Sequence, residues 1–446
     1  MKKINKRGNS PIILSGQKLW KRAKKIIPGG NMFLSKRPDL FLPEKWPVYY
    51  KNAKGCNVWD LNGKKFIDVG YMGVGTNILG YANQEIDKYV IKALKTGNVS
   101  SLNSFEEVIL CEKLIELHPW AQMVKLAKTG GEANSIAVRI ARVASKKDKI
   151  AFCGYHGWHD WYLSANISDK KNLDEHLLSG LRTSGVPSNL KNTSFPFNYN
   201  DFDSLKKITD ENDIGVICME VERNIKPKND FLRKIRDLAT KKNIVLIFDE
   251  CTSGFRETFG GLHKKYKIEP DMAIFGKALG NGYAISAIIG KRDVMDYAQD
   301  TFISSTFWTE KTGTTAAIKT LEIMKKIKSW ETITKIGIDV SKNWYNLAKK
   351  YNLKISINGL AAIKSFKIES DDWIKYKTFI SQEMLKKRFL ATNALYVCVE
   401  HKEKILNRYY YEIEKVFKVI SDCEKGQSID EKLEVPLCHS NFQRLN

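Results

Sequence analysis

Short apolar segments alternate with longer amphipathic ones along most of the chain. The apolar runs at 123–127, 149–153, 214–219, 245–248 and 272–275 each end at a polar residue or a glycine. Runs this short, with no polar alternation, are typical of strands that are buried on both faces of a parallel sheet. The pattern therefore predicts an α/β fold in which helices flank a mostly parallel sheet.

Helical periodicity predicts most of the remaining elements. Apolar residues three and four positions apart indicate one helix at 16–26, two within 84–118, one at 230–242 and a long one from 314 to beyond 326. Weaker patterns predict the other elements: a buried strand at 284–289, strands near 355–357 and 362–368, and helices near 376–388 and 402–421.

Two ionisable residues follow neighbouring apolar runs. Asp249 comes directly after the run 245–248, and Lys277 lies just beyond the run 272–275. Because ligands bind where parallel strands end, we expect both side chains at one edge of the sheet. They are either a structural ion pair, two unrelated residues, or a site in which a lysine forms a Schiff base with a carbonyl cofactor beside an acid. Spacing alone leaves these alternatives open.

The sequence motifs around this pair resemble those of a known family. IFDE-x-x-x-GFR (247–256), the Pro-Asp pair at 270–271 and GKALGNG (276–282) resemble class III aminotransferases that depend on pyridoxal 5′-phosphate (PLP), and most of all the glutamate-1-semialdehyde aminomutase branch. The resemblance implies PLP as the cofactor and the PLP-dependent transferase fold type I, with a seven-stranded large domain and an α+β small domain. It implies that Lys277 carries PLP and moves protons, while Asp249 keeps the ring nitrogen protonated.

A pair of glycines stands between a predicted strand and a predicted helix. Gly130 and Gly131 follow the run 123–127 in the word KTGGEA. Exposed N–H groups and the positive end of a helix dipole bind phosphate, although a glycine pair is also an ordinary turn. The resemblance implies that both glycines donate N–H groups to the PLP phosphate.

The word GYHGWHD follows the run 149–153. Its two histidines, His156 and His159, suggest a metal, but no third ligand lies at a usual spacing, and we predict no metal site. The resemblance implies that Tyr155 stacks on the PLP ring, and it places His156 in the same cofactor-binding word. The alternative for Tyr155 is an ordinary core aromatic.

The match is less complete at two further positions. Glu220 corresponds to a family glutamate near the hydroxyl side of the ring, but Val221 replaces the usual proline. Thr306 corresponds to a threonine that reaches the phosphate of the partner subunit, which implies a homodimer with shared active sites. The word TFWTE at 306–310 departs from the aminomutase form and resembles aminotransferases of sugar pathways.

Three residues are candidates for binding substrate. Ser35 and Arg37 lie in a Pro/Gly-rich segment that resembles the family's amino-terminal arm, and Arg444 lies in the tail. Each has the alternative of being an ordinary surface residue. On this basis residues 1–70 are predicted to form the arm and part of the small domain, 71–311 the large PLP-binding domain, and 312–446 the rest of the small domain.

The composition of the chain bears on its cellular location and on which classes of partner it binds. The chain has 446 residues, a formal net charge of +23 and 8 cysteines with no CxxC pair, which is typical of a reduced protein. Its lysines are dispersed and no nucleic-acid-binding motif is present, so we predict no nucleic-acid partner. No apolar run is long enough to cross a bilayer or to serve as a signal peptide, so we predict a cytoplasmic protein without a membrane partner.

These observations lead to one predicted function and two alternatives. The prediction is an aminotransferase that moves an amino group from a glutamate-like donor to a carbonyl compound, such as a sugar-pathway intermediate. The first alternative is an aminomutase of the glutamate-1-semialdehyde type, which returns the amine to a neighbouring carbon. The second is a PLP-fold or basic binding protein without catalysis.

Overall fold

The structure is a computed structural model that describes residues 15–176 and 179–440. Its strands are β1 (Tyr50–Lys54), β2 (Asn57–Asp60), β3 (Lys65–Asp68), β4 (Met123–Ala127), β5 (Lys149–Cys153), β6 (Ser194–Pro196), β7 (Ile214–Glu220), β8 (Val245–Asp249), β9 (Met272–Phe275), β10 (Ser286–Gly290), β11 (Ile355–Asn358), β12 (Ile363–Ile368), β13 (Phe389–Leu390) and β14 (Ala394–Tyr396). Its helices are α1 (Gly16–Ile26), α2 (Met72–Gly75), α3 (Gln84–Leu94), α4 (Phe105–Leu117), α5 (Gly130–Ser145), α6 (Asp160–Leu163), α7 (Ala165–Ser168), α8 (Phe202–Glu211), α9 (Phe231–Lys241), α10 (His263–Tyr266), α11 (Arg292–Met295), α12 (Lys311–Ile327), α13 (Ser329–Lys350), α14 (Trp373–Lys386) and α15 (Glu403–Glu424).

A seven-stranded sheet forms the centre of the chain. Its strand order is β4-β10-β9-β8-β7-β5-β6, and the pairs from β9 to β6 are all parallel. Only β10 runs against its neighbours, β4 and β9. The predicted α/β fold with a mostly parallel seven-stranded sheet is confirmed.

Both faces of this sheet are covered, which explains the continuous apolar runs. Along β8, Ile247 belongs to one core cluster, whereas Leu246 and Phe248 belong to another. Helix α5 contributes Ile136 and Ile140 to the first cluster, and α9 contributes apolar residues to the second. Residues that alternate along a strand therefore pack against different helices.

Two smaller sheets connect the beginning and the end of the chain. In one, β1, β2 and β3 form an antiparallel meander, and β13 adds to β3 in parallel, with Phe389 opposite Ile67. In the other, β12 lies between β11 and β14. Residues 50–68 thus pack with residues 389–390, although more than 300 positions of sequence separate them. This arrangement has the character of the predicted α+β small domain.

Some element bounds differ from the sequence-based expectations. The strand predicted at 284–289 begins two residues later, as β10, and α12 begins at Lys311 rather than at 314. The long helix also ends at Ile327, because Lys328 adopts a left-handed conformation with φ 47° before α13 starts. The segment 164–212, whose sequence shows little periodicity, contains α7, β6 and α8.

Two further features of the described residues concern membrane-spanning helices and disulfide bonds. No helix within 15–176 and 179–440 has both the length and the apolar composition that are needed to cross a bilayer. All eight cysteines lie in these ranges, and each is a free thiol.

Candidate active site

Lys277 lies at the carboxyl edge of the seven-stranded sheet. It begins the single turn that follows β9 and adopts a left-handed backbone with φ 44°. Its Nζ donates a hydrogen bond to the Thr252 hydroxyl at 2.7 Å. Burial, followed by the nearby Arg223 guanidinium, lowers the pKa of the Lys277 amine. A larger fraction of this amine is therefore neutral, and hence able to accept a proton or attack a carbonyl, than for an exposed lysine.

Asp249 ends β8 and is 4% exposed. Its Oδ2 accepts hydrogen bonds from Nδ1 of His156 and Nδ2 of Asn134, both at 2.8 Å, and its Oδ1 accepts one from the N–H of Cys251 at 3.0 Å. Burial alone would raise the pKa of Asp249, but the hydrogen bonds, the one from His156 foremost, outweigh it and lower that pKa. The carboxylate is therefore held ionised in the interior of the protein.

The glycine pair lies at the amino end of the 16-residue helix α5. Thr129 and Glu132 form a reciprocal capping box around this end. The N–H groups of Gly130 and Gly131 precede the first intrahelical bonds, and neither finds an acceptor within residues 15–176 and 179–440. Two orphan donors at a helix amino terminus suit an anion such as phosphate.

The loop after β5 brings Tyr155 and His156 to the same edge. A Cβ on Gly157 would lie 2.8 Å from the Cα of Gly131, so this loop packs directly on the start of α5 because position 157 is a glycine. His156 is 1% exposed and reaches Asp249, whereas Tyr155 is partly buried. The loop therefore connects the glycine pair with the buried acid.

Glu220 ends β7 and stands in register with Asp249 on the neighbouring strand. It is 6% exposed, and its Oε2 accepts the N–H of Tyr155 at 3.3 Å. A Cβ on Gly154 would lie 2.6 Å from this oxygen, so a side chain at that position would prevent the contact. Glu220 is thus fixed beside the loop that carries Tyr155.

Thr306 is exposed in a single turn, Thr306–Thr309, that packs near the glycine pair of its own chain. The indole N–H of Trp308 donates to Glu132 of the capping box at 3.3 Å. Lys128 forms a partly buried ion pair with Glu310, which caps the start of α12. These contacts fix the turn and leave the Thr306 side chain facing outward.

The sequence-based reasoning missed four residues of this edge. Thr252 accepts a hydrogen bond from the Lys277 amine, and Asn134 donates one to Asp249. Arg223 donates a hydrogen bond to Glu220. The sulphur of Cys251 lies 3.2 Å from a Cβ built on Gly130. Two local signals were available: Thr252 lies within the IFDE-x-x-x-GFR word, and Asn134 is one helical turn after Gly130. Arg223 had no such signal.

The predicted substrate residues have different surroundings. Arg37 is 5% exposed, so the alternative of a solvated surface charge is wrong for it; burial, opposed by Asp39, lowers its pKa. Ser35 is partly exposed in the turn before it. The arm reaches the sheet edge through Phe41, whose ring lies 5.1 Å from that of Tyr71. Arg444 lies outside the described residues.

The residues at this edge suit a cofactor with three recognisable parts. A partly buried amine suits an aldehyde, two orphan N–H groups suit a phosphate, and a buried carboxylate held ionised suits a protonated ring nitrogen. Within the described ranges, no group of three or more His, Cys, Asp or Glu side chains is arranged to hold a metal ion.

Comparison with known proteins agrees with this arrangement. Residues 43–394 match the model of the family described as "Aminotransferase class-III". The 3-aminobutyryl-CoA aminotransferase of Cloacimonas acidaminovorans is 33% identical over 91% of this chain and 97% of its own length. A glutamate-1-semialdehyde 2,1-aminomutase of Sulfurisphaera tokodaii is 31% identical over 78% of this chain and 83% of its own.

Solved structures show the same fold. The PLP internal aldimine form of the FumI protein from a Sphingopyxis species superposes with a TM-score of 0.83 at 23% identity, over 94% of this chain and 99% of that one. The predicted fold type I and the resemblance to class III enzymes, aminomutases included, are therefore confirmed. The chain belongs to the class III aminotransferase family, and it is an enzyme of that family with pyridoxal 5′-phosphate as its cofactor.

Proposed function

We propose that the protein is an aminotransferase that takes an amino group from a glutamate-like donor and gives it to a carbonyl compound. The observation that carries this proposal is the position of the Lys277 amine. It lies on the Thr252 hydroxyl, at the sheet edge that also holds the ionised Asp249 and the N-terminus of α5. An amine with a lowered pKa, next to a buried acid, is the arrangement that proton transfer on PLP needs.

PLP, when bound, supplies an electron sink for the carbanion that forms when a proton leaves the substrate carbon. The Lys277 amine accepts that proton and returns it at another atom, with its direction fixed by the hydrogen bond to Thr252. Asp249 holds the proton on the ring nitrogen, and His156 and Asn134 keep its carboxylate in place. These roles follow from the surroundings of each group.

Other residues hold and orient the cofactor in this proposal. Gly130 and Gly131 donate their free N–H groups to the phosphate. The ring of Tyr155 would stack on the cofactor ring and limit its tilt. Glu220, which accepts the N–H of Tyr155, would face the hydroxyl group of the cofactor.

We also propose a homodimer in which Thr306 of each subunit completes the phosphate site of the other. Large apolar side chains are exposed in the segments 102–108 and 302–307 and in the loop after β5: Leu102 83%, Phe302 83%, Trp158 70%, Phe307 69%, Phe105 68% and Val108 59%. Lys311 connects the two segments involved, since its N–H donates to the carbonyl of Asn98 at 3.1 Å. Exposed apolar surface of this kind is typical of a protein interface. Light scattering of the purified protein measures its mass directly.

The proposed boundaries of the domains follow the sheets. In this proposal residues 71–311 are the large domain and residues 1–70 with 312–446 are the arm and small domain, a division that the pairing of β13 with β3 supports. A cytoplasmic location remains part of the proposal and is tested by cell fractionation.

The second candidate function is an aminomutase, which keeps the amine on the same molecule. The match to a glutamate-1-semialdehyde aminomutase over 78% of the chain favours it. The TFWTE word, which resembles sugar-pathway aminotransferases, and the match to an aminotransferase over 91% of the chain favour transfer between two molecules. A protein without catalysis would not need the Lys277 amine to be held beside the acid and the helix terminus.

Half-reactions distinguish these candidates. The PLP-loaded enzyme is mixed with L-glutamate or L-alanine, and the cofactor spectrum and the released keto acid are measured. We expect one keto acid per active site, followed by return of the spectrum when a carbonyl acceptor, first an aldehyde sugar, is added. Isomerisation of glutamate 1-semialdehyde without keto acid release would favour the aminomutase. No conversion with any donor, and no cofactor spectrum, would refute both.

A further inference from the structure

Two arginines lie close to Lys277, and their surroundings differ. Arg256 is 0% exposed; its Nε donates to the carbonyl of Thr252 at 2.5 Å and its Nη2 to the carbonyl of Gly75. Arg256 therefore has a structural role and no exposed surface that a substrate could contact. Arg223 has a side chain that is 30% exposed, so it is the cation at this edge that a ligand can reach.

The Arg223 guanidinium contacts the glutamate that ends β7. Its Nη1 lies 3.3 Å from Oε2 of Glu220, and the same oxygen accepts the N–H of Tyr155. Its charge also acts on Lys277, where it follows burial among the causes that lower the pKa of the amine. Arg223 therefore shares the Glu220 carboxylate with the backbone of Tyr155, and its charge reaches the reactive amine.

Most of the hydrogen-bonding capacity of Arg223 is unused. Within residues 15–176 and 179–440 its side chain makes one hydrogen bond, the long one to Glu220. A guanidinium has five N–H donors in a planar fork, so it can keep this contact and still bind a carboxylate through two parallel bonds. A fixed cation with free donors near a reactive amine suits the anionic end of an amino acid.

Aromatic rings form the neighbouring wall. The ring of Tyr396 stacks on that of Tyr71, with centroids 5.1 Å apart, and Tyr71 meets Phe41 of the arm. Tyr396 and Arg223 lie close enough to influence each other's pKa: Arg223 opposes the rise that burial causes in Tyr396. A short apolar spacer between amine and carboxylate fits such a wall.

The backbone of Arg223 is fixed from the other side of the molecule. Its carbonyl accepts the N–H of Leu360 at 3.1 Å, and the carbonyl of Asn224 accepts that of Gly359 at 2.9 Å. The preceding residue, Glu222, accepts the hydroxyl of Tyr266. Residues held in this way lose little conformational freedom when a ligand binds, which favours binding.

We propose that Arg223 binds the carboxylate of the amino donor and so selects amino acids over simple monoamines. This proposal rests on the proposed aminotransferase function and adds the donor class and the residue that recognises it. Neither Ser35 nor Arg37 is required for it.

The test compares the holoenzyme with Arg223→Gln and Arg223→Lys. Each enzyme is given β-alanine or L-alanine as the amino donor. Propylamine and ethylamine are the matched amines without a carboxylate. Formation of the pyridoxamine form of the cofactor is followed by absorbance. For the better amino acid we expect Arg223→Gln to lower kcat/KM about 100-fold, which is about 2.7 kcal/mol. Most of this loss should appear as a higher KM. The kcat/KM for the matched amine should change less than about twofold, and Arg223→Lys should lose less kcat/KM for the amino acid than Arg223→Gln does.

A second measurement does not depend on turnover. Propionate, which has the carboxylate without the amine, is titrated calorimetrically into the holoenzyme, where we expect binding that Arg223→Gln abolishes. Arg233→Gln is the matched control, because it also removes one arginine charge, but from an exposed side chain that donates to the carbonyl of Lys267. We expect this control to bind propionate as the wild type does.

Three outcomes overturn the proposal. The first is an equal loss of kcat/KM for amino acids and monoamines in Arg223→Gln, which would show that Arg223 has a structural role while leaving the aminotransferase function intact. The second is a wild-type enzyme that uses the matched amine as well as the amino acid. The third is propionate binding that Arg223→Gln leaves unchanged. If no donor reacts, the aminotransferase proposal fails, and the propionate titration still decides whether Arg223 binds a carboxylate.

Discussion

Replacing Asp249 with asparagine tests whether a charged pair is buried behind the predicted cofactor ring. Both ring nitrogens of His156 face acceptors: Nδ1 lies 2.8 Å from Oδ2 of Asp249, and Nε2 lies 3.1 Å from the carbonyl oxygen of Cys153. Each nitrogen must therefore carry a proton, which makes His156 a cation. Burial alone would lower the pKa of His156, but Cys218 and Asp249 together raise it well above its ordinary value of 6.5.

The size of the effect follows from the bonds that change. Asp249→Asn keeps the shape of the side chain but removes its charge, so His156 becomes neutral and the Asn134 amide loses a carboxylate acceptor. A charge-assisted bond contributes about 1.5–3 kcal/mol and a neutral one about 1 kcal/mol, and a buried donor left without an acceptor costs about 1–3 kcal/mol. We expect the free energy of unfolding of the apo-protein to fall by about 2–4 kcal/mol near pH 6.

The pH dependence has a definite sign. The lowered pKa of Asp249 gives stability that is present above its ordinary value of 3.8 and is lost as the pH falls through the folded value. The raised pKa of His156 gives stability that is complete below 6.5 and is lost as the pH rises through its folded value. The difference between wild type and Asp249→Asn should therefore shrink above pH 6.5, by up to about 1.4 kcal/mol per pH unit.

Urea denaturation of both apo-proteins at pH 5.5, 7.0 and 8.5 measures this difference. Asp271→Asn is the matched control: Asp271 is 8% exposed, but its charged partners are Arg236 and Lys291, each at 2.8 Å, and it also accepts the N–H of Leu246. Arginine and lysine stay protonated over this range, so the control's loss of stability should not vary with pH. A loss in Asp249→Asn that stays constant, or grows, from pH 6.5 to 8.5 would show that His156 is neutral and would refute the reasoning.

Three further substitutions test other parts of the site. Lys277→Ala should leave the urea midpoint of the apo-protein nearly unchanged, but borohydride should no longer fix cofactor absorbance to the protein; fixation at another lysine would contradict the assignment. Gly131→Val places a side chain whose Cβ lies 3.1 Å from the His159 ring, so we expect cofactor affinity to fall about tenfold or more by fluorescence titration, with unchanged helical circular dichroism. Arg256→Met removes a buried cation that contributes to the lowered pKa of Lys277, so the pH midpoint for the amine should rise; an unchanged midpoint would show that burial and Arg223 alone set it.

The centre of the fold could be predicted because its sequence signals are local. The strands at 149–153 and 272–275 begin and end where their apolar runs do, since each is buried on both faces and meets a glycine at its end. Parallel pairing of β8 and β9 then places Asp249 and the lysine turn at one edge. The pattern could not give the direction of β10, because an antiparallel strand buried on both faces has the same composition as a parallel one.

The part of the site that the sequence did not reveal depends on distant partners. Arg223 owes its position to hydrogen bonds from Gly359 and Leu360, more than 130 residues later. The word around it also departs from the family form, since Val221 replaces a proline. Arg37 had the appearance of surface charge because burial of an arm depends on the surface that it lies against, which no local pattern reveals.

The turn α2 shows why such distant partners are needed at this edge. Its four residues all have positive φ, including Met72 at 42° and Val74 at 60°, and a left-handed conformation costs about 1–2 kcal/mol for each residue with a side chain. The carbonyl of Gly75 accepts from Arg256, and a Cβ at Gly75 would lie only 2.7 Å from that guanidinium. Because Arg256 also bonds to the carbonyl of Thr252, one buried side chain stabilises the unfavourable turn and positions the residue that holds the Lys277 amine. The sequence around Val74 does not reveal this turn, since the compensating arginine lies 181 positions away from Gly75.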